Sequence, residues 1–536
     1  MDRTALLKPH PSSVGYALFT VINATQVWGG VFPFLPKDFQ TDEVTLTFYL
    51  AQTLALCAAF VASTAGAYRF PAQARTMPVT LSAAMMFAGS ACVIAAMYAP
   101  GSTLAFVLAG GVFTGVGTAG MFMLWQRYFS SIAAEPGNYR LILGALLAGA
   151  GYFALYLVPM ALTAFLIPVV ILPICALCLS LSVRDMEFDQ PMFEDVPREH
   201  PSVYLQLVED SKASAVCVAA IAFASGLARG VAVINPQISD VVNFASMAGL
   251  FLAAGILLAL WLTASVRFSL RTVFRAVFPV VFTGLVLFPF LQKAGLSLFA
   301  GLTYLAFSLV VLIMMMQCAQ TARDRGINPV FVYGLYGSAA YISQAVGFLL
   351  GWFANDIEIW GVGQVTLLSL VAAYVLGMAL LGSTGALLGS KAADAPKHAD
   401  QIEFLAPALA PARRGTKAAA GEQAADESRG EKTKGAKRAA AEKPARRGPS
   451  RRFDSAGHVI TDRISKQCVV LSEQFGLSSR ETEVMELIAR GKPMASIADE
   501  LFISENTVRT HCKHIYGKLD IHSRQELGDL VSGVTL

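Results

Sequence analysis

Apolar runs of roughly twenty residues recur from residue 14 to residue 388, and a chain that carries them cannot fold as an ordinary soluble domain. An α-helix rising about 1.5 Å per residue needs about twenty residues to cross about 30 Å of hydrocarbon. One helix per run gives spans at Val14–Phe34, Thr45–Tyr68, Val79–Tyr98, Thr103–Trp125, Leu141–Met160, Leu162–Val183, Ala213–Ile234, Phe244–Val266, Val273–Leu291, Ser297–Cys318, Val330–Phe353 and Val365–Leu388. Helices that are apolar all round have no face to show to water, so twelve in series exclude a soluble bundle. The expected fold class is all-α: a twelve-helix polytopic membrane domain over residues 1–390, followed by a different kind of sequence.

Lys and Arg in the connections set the orientation, because cationic residues are retained on the cytoplasmic side. With the amino terminus inside, fourteen cations fall on the inner side, among them Arg69, Arg127, Arg184 and Arg323, and only Lys37, Arg229 and Lys293 fall outside. The asymmetry predicts a multi-pass membrane protein with both termini cytoplasmic. No cleavage pattern follows the polar start, so the first span is expected to stay. Eight cysteines are scattered, six of them in apolar runs, which predicts no disulfide framework. Cys175 and Cys178 lie inside a span without a His or a third Cys, so no metal and no cofactor are expected.

The acidic connection from Arg184 to Lys212 divides the spans six and six. This layout resembles the major facilitator superfamily of transporters, whose halves are related by a pseudo-twofold axis. The resemblance is topological and covers about residues 10–390. The superfamily's Gly-Asp-basic motif between the second and third spans is not reproduced: Gly66-Ala-Tyr-Arg69-Phe-Pro-Ala-Gln-Ala-Arg75 lacks the Asp.

Ionisable and amide side chains in hydrocarbon are costly and therefore informative. Asn23, Gln26, Arg229 and Gln344 are the candidates for a central cavity that takes a small polar or anionic ligand, with Arg229 as a fixed positive charge. The competing reading has Arg229 snorkelling to the outer interface and the amides bonding between helices. The glycines from Gly110 to Gly120 follow no strand and precede no Gly-Lys-Ser, so they read as helix packing and not as a phosphate loop.

Charge divides the chain again. Residues 1–390 hold 17 basic and 17 acidic residues, 391–463 hold 16 and 10, and 464–536 hold 8 and 10, which together give the net +4. The middle segment, rich in Ala, Lys, Arg, Glu, Gly and Pro, cannot bury enough apolar surface to fold and is expected to be a disordered basic linker. Its 73 residues would span on the order of 45–50 Å as a flexible coil. Such a segment either attracts DNA phosphate or anionic lipid, or is a solvated spacer.

Helical periodicity returns at residue 464 and predicts a compact four-helix domain over 464–536. Ser478 with Glu481, and Ser523 with Glu526, form capping boxes; Pro493 opens a short second helix, and Ser504 caps a third. With Val508, Cys512, Ile515 and Leu519 facing the core, Arg509, Thr510 and Lys513 project outward to read a major groove, and Thr507 sits at the helix start, where a phosphate would bind. Lys518 adds a further cation to the same helix. The last helix presents Leu527, Leu530 and Val531 inward or toward a second copy. No cysteine pair stands beside His511, His514 and His522, so zinc is not expected.

Leu477 to Gly491, Ile497 to His511 and Lys518 to Arg524 closely resemble the LuxR-type helix-turn-helix of bacterial transcription regulators over about 60 residues. The resemblance implies sequence-specific binding of double-stranded DNA through the third helix, with major-groove contacts at Arg509, Thr510 and Lys513, and dimerisation through the fourth. Met494 and Ala495 stand where the family commonly has Asn and Lys, which removes a backbone contact expected from the second helix.

Together these features predict a membrane-anchored transcription regulator, not an enzyme, whose partners are promoter DNA, the lipid bilayer and an unknown small molecule. The transporter-like domain would sense a ligand or signal and control DNA binding, with the acidic Arg184–Lys212 connection as a mask for Arg509 and Lys513. The alternative is a secondary transporter with an appended cytoplasmic DNA-binding regulatory domain.

Overall fold

The computed structural model describes residues 10–383, 402–404 and 463–532, apart from 27–34, 72–75, 77, 187, 189, 200, 235, 264–265, 288–289, 291–292, 354–363, 491, 493 and 502. A long helix stands at each of the twelve expected positions. These are α1 (Pro11–Gln26), α2 (Asp42–Arg69), α3 (Val79–Tyr98), α4 (Thr103–Ser131), α5 (Ala134–Leu155), α6, α7 (Pro201–Ile234), α8 (Pro236–Thr263), α9 (Leu270–Leu287), α10 (Lys293–Arg325), α11 (Pro329–Phe353) and α12 (Gln364–Ser383). Helix α6 runs as Met160–Leu166, a wider π-type segment Ile167–Ile171, and Leu172–Arg184. Pro168 and Pro173 lack the N–H an α-helix would use, and the wider turn accommodates them.

Among the described residues nine helices are long and apolar enough to cross a membrane. The difference from twelve has local causes. Helix α1 is described over 16 residues only, α12 has a shorter apolar stretch at Ser369–Leu381, and α11 carries Tyr333, Tyr336, Ser338, Tyr341, Ser343 and Gln344, which lower its hydropathy. Helix α11 buries Tyr333 and Phe348 on one side and exposes Ile342, Val346, Leu350 and Phe353 on the other.

Helix pairings repeat between the two halves. In the first half α1 packs on α5 and α6, α2 on α4, and α3 on α4; in the second α7 packs on α11 and α12, α8 on α10, and α9 on α10. The junction repeats too, because α2 meets α11 and α5 meets α8. Each pairing maps onto its counterpart by adding six to the helix number, which is the signature of an internal six-helix repeat. At one end of this junction Arg323 closes α10 against α4, its Nη1 donating to the carbonyls of Phe129 (3.3 Å), Ser130 (3.4 Å) and Ile132. Those carbonyls lie at or beyond a helix C-terminus, where the chain leaves them without intrahelical donors and a cation is favoured.

The contact of α7 with α11 is made by two Gly-x-x-x-Gly pairs, Gly226/Gly230 and Gly347/Gly351. A Cβ on Gly226 would collide with the Gln344 carbonyl oxygen, one on Gly230 with that of Phe348, and one on Gly347 with that of Phe223. Backbone meets backbone here, as small residues permit where no hydrophobic force drives helices together.

The all-α expectation holds, with two details added among the described residues. Strand β1 (Val266–Phe268) pairs antiparallel with β2 (Ile402–Phe404), joining the loop before α9 to a point inside the segment expected to be a linker. The rest of that segment, 391–401 and 405–462, lies outside the described residues. The C-terminal domain has five helices instead of four: α13 (Arg463–Phe475), α14 (Ser479–Ala489), α15 (Met494–Glu500), α16 (Glu505–Leu519) and α17 (Arg524–Ser532). Helix α13 contributes Ile464, Cys468 and Leu471 to a core shared with Val484, Ile488, Ile497, Val508, Ile515 and Leu527. Its apolar positions recur at three and four residues, but no capping box announces its start.

Candidate functional site

The C-terminal domain is built around α16. Ser504 caps it by accepting from the Thr507 N–H at 3.1 Å, and Asp520 ends it in the left-handed region at φ 54°. Val508, Cys512, Ile515 and Leu519 are buried as the spacing predicts. Helix α14 begins with a complete capping box, the Ser478 N–H donating to Glu481 Oε2 at 2.7 Å while Ser478 Oγ accepts from the Glu481 N–H at 3.3 Å. Around Ser523, Glu526 instead accepts from the His522 N–H at 2.8 Å and from the Ser523 hydroxyl, which hold its carboxyl below the usual range.

Arg509, Thr510 and Lys513 are exposed on one face of α16. Arg509 approaches Glu505 at 3.7 Å and keeps 68% of its side chain exposed, so the acidic Arg184–Lys212 connection does not mask it. Of that connection, Asp195 accepts from the Tyr204 hydroxyl at 2.5 Å and Asp210 pairs with Arg325 at 2.9 Å. Thr510 donates its hydroxyl to the Asn506 carbonyl at 2.9 Å, and Thr507 shares a 2.8 Å hydrogen bond with the Ser504 hydroxyl. Asn506, exposed and one turn before Arg509 and Thr510, belongs to the same face. Sequence reading passed over it, although the spacing 506, 509, 510, 513 would have found it.

One expectation changes. Lys518 does not stand free on the reading face: its Nζ donates to Glu481 Oε2 at 2.7 Å and to the Gly476 carbonyl at 3.1 Å. Leu527 and Val531 are buried within the domain's own core, while Leu530 packs against that core and stays partly exposed.

The same geometry explains how a domain with a net charge of −2 keeps a cationic helix face. Glu481 pairs with Lys518, Glu483 with Arg480 at 2.5 Å, and Glu486 with Arg490 at 2.7 Å. The acids of α14 are thus neutralised locally by residues that do not belong to the reading face. Burial alone would raise the Glu481 carboxyl, but hydrogen bonds from Lys518 and from the Ser478 N–H and hydroxyl lower it to about 2. Arg490 also donates through Nη1 to the Asp324 carbonyl, one residue beyond the Arg323 that closes α10 on α4.

In the membrane body, a narrow cavity brings Arg229 and Gln344 together, with walls from both halves that include Tyr16, Thr20, Phe122, Ser246 and Tyr304. Arg229 does not snorkel outward. It is 3% exposed, its Nε donates to the Tyr304 hydroxyl and its Nη2 to Ser246 Oγ at 3.1 Å, and it lies 4.8 Å from the centre of the Tyr304 ring. Asn23 is fully buried and is not among the described residues of the cavity wall; its Nδ2 donates to the Phe19 carbonyl at 3.0 Å and its Oδ1 has no partner among the described residues. The side chain of Gln26 lies outside the described residues. Sequence reading missed Tyr304 and Ser246, which no short-range pattern connects to Arg229.

Comparison with known proteins places the C-terminal domain. Residues 476–531 match the family of bacterial regulatory proteins described as the luxR family. An uncharacterised response regulatory protein of Escherichia coli, YgeK, is 39% identical over 77 residues, which are 14% of this chain and 52% of that one. The oxygen regulatory protein NreC of Staphylococcus haemolyticus is 49% identical over 51 residues, 10% of this chain and 24% of its own length. The chain therefore spans about half the length of the first relative and a quarter of the second. Among solved structures, a bacterial homologue of the iron transporter ferroportin aligns over 70% of this chain and 98% of its own, at 12% identity and a TM-score of 0.47. The major facilitator superfamily transporter FucP aligns over 71% of this chain and 97% of its own, at 13% identity and 0.45. The six-plus-six arrangement rests on the repeated helix pairings, not on these likenesses. The sequence relatives share 10–14% of this chain, and residues 476–531 carry a LuxR-type helix-turn-helix.

Proposed function

We propose that the protein is a membrane-anchored transcription regulator in which the twelve-helix body senses a ligand or signal and controls sequence-specific DNA binding by α16. The observation that carries this reading is the exposed Arg509, Thr510 and Lys513 face of a LuxR-type domain on the same chain as a multi-pass body. In this reading the domain binds promoter DNA through base contacts from those three residues and phosphate contacts at the start of α16. It carries out no enzymatic reaction. The asymmetry of Lys and Arg supports an inner-membrane location with both termini in the cytoplasm.

Control of DNA binding by the body needs a contact between the two or a change of oligomeric state. The Arg490–Asp324 hydrogen bond supplies a direct route, because a shift between the halves that displaces Arg323 also displaces the neighbouring carbonyl. The test is a genome-wide footprint of the full-length protein with the wild-type reading face and with Arg509→Ala and Lys513→Ala together. Loss of discrete sites in the double variant supports the reading; identical footprints sink it.

A second reading, a secondary transporter with an appended DNA-binding regulatory domain, is favoured by the six-helix repeat and the cavity between its halves. Ion-gradient-driven accumulation of a cavity ligand by reconstituted protein would select it, whereas binding without flux selects the sensor.

A further inference from the structure

We propose that the cavity between the halves takes a small monocarboxylate with an apolar body, its carboxylate seated on Arg229. The inference deepens the sensing role proposed above by naming the chemical class of what is sensed. It begins from hydrogen-bond accounting. A guanidinium has five N–H donors and is always charged. Arg229, 3% exposed in the membrane body, uses its Nε on the Tyr304 hydroxyl and its Nη2 on Ser246 Oγ. Neither partner is anionic, and no ion pair joins Arg229 to a carboxylate among the described residues. A buried cation with only neutral partners is costly, and a charge retained at that cost inside a membrane body marks a ligand pathway.

The cavity wall fixes the charge and shape of the complement. Among the described wall residues Arg229 is the only ionised side chain, so a single negative charge balances them, and a doubly charged anion would leave one charge uncompensated in a low-dielectric interior. Leu250, Phe307, Val311 and Leu312 supply an apolar wall beside the charge. A planar carboxylate accepts two parallel N–H bonds from one guanidinium, and the apolar wall offers contact to a hydrocarbon body once the cavity, about 30 Å³ as it stands, widens to admit it. Tyr16 and Thr20 of the first half face the same cavity as Arg229 and Tyr304 of the second, so a molecule that fills it bridges the two six-helix halves.

The test uses the full-length protein in lipid nanodiscs, with benzoate and hexanoate as probes, their primary amides as uncharged isosteres, and chloride and inorganic phosphate as bare anions. The expected result is a rise in Tm with either carboxylate, at least tenfold weaker binding of the matching amide, no comparable effect of chloride or phosphate, and loss of the carboxylate effect in Arg229→Gln. Arg229→Lys keeps the charge without the fork and should retain part of the effect. The comparison of acid with amide on the unaltered protein needs no variant to fold. Equal binding of acid and amide, an unchanged response in Arg229→Gln, or a response to phosphate or chloride with none to either carboxylate overturns the proposal, as does silence from every probe. DNA binding measured in the same samples separates this inference from the regulatory reading. Carboxylate binding that leaves DNA affinity unchanged removes the sensing role and keeps the site, whereas DNA recognition with no carboxylate binding removes the site and keeps the regulator.

Discussion

Lys518 donates to Glu481 at 2.7 Å, tying the last turn of α16 to the capping box that starts α14. The bond connects the reading helix to the scaffold at the end away from Arg509. Because the Glu481 carboxyl is lowered to about 2 in the folded domain, its contribution to stability is fully present above the ordinary carboxylate range and is lost as pH falls from about 4.5 toward 2. Chemical denaturation of the C-terminal domain across pH 2–6 should show this loss, on the order of 2 kcal/mol, and Glu481→Gln should flatten the profile. A Glu481→Gln profile parallel to that of the wild type contradicts the assignment.

On the reading face, Arg509→Ala and Lys513→Ala should each weaken binding to a target site by about 1–3 kcal/mol if base contacts are lost. Lys518→Met should act mainly on stability, because its ammonium is already committed to Glu481. Titrations at two salt concentrations, together with a melting curve for each variant, distinguish the two kinds of effect.

Leu527→Ala should lower domain stability by about 2–5 kcal/mol, as expected for a truncated buried leucine. Sedimentation of the isolated domain checks the corollary. If Leu527 held two copies together, the variant would dissociate a dimer without unfolding it.

Gly226→Leu or Gly347→Leu should disrupt the α7–α11 crossing, since both helices meet through backbone at these points. Reduced yield of monodisperse detergent-purified protein and a lower Tm are the readouts. A substitution at Gly66 or Gly255, where an added Cβ meets nothing, is the control and should be silent.

Arg490→Ala should separate the two proposed functions physically. It removes the donor to the Asp324 carbonyl while leaving the exposed face of α16 intact, so intrinsic DNA affinity of the isolated domain is retained and any ligand dependence in the full-length chain is lost. Ligand dependence that survives in the variant points to another route.

Most of the architecture was legible in the sequence because membrane spans and capping boxes are local signals. The twelve helix positions follow from run length alone, and Ser478, Ser504 and the α16 core residues from spacing within one or two turns. What was not legible is non-local. Lys518 reads as a DNA contact because its partner Glu481 lies 37 residues away, and Leu527 stays open between core and interface because the core it closes includes α13, more than fifty residues earlier. The fate of Arg229 was undecided for the same reason: Tyr304, 75 residues away, holds it inward. Asn23 shows the converse, a polar residue in a span whose amide bonds to the carbonyl of its own helix at Phe19.

The glycine crossing of α7 with α11 has one more consequence. Arg229 stands between Gly226 and Gly230, so the backbone that carries it is set by main-chain contact, while Tyr304 and Ser246 hold its guanidinium. Exchanging Leu250 or Phe307 for residues of another size should therefore retune which molecules are accepted while the guanidinium stays where it is. A scaffold built this way can diversify its chemical vocabulary by point substitution, with the anchoring charge held as the constant.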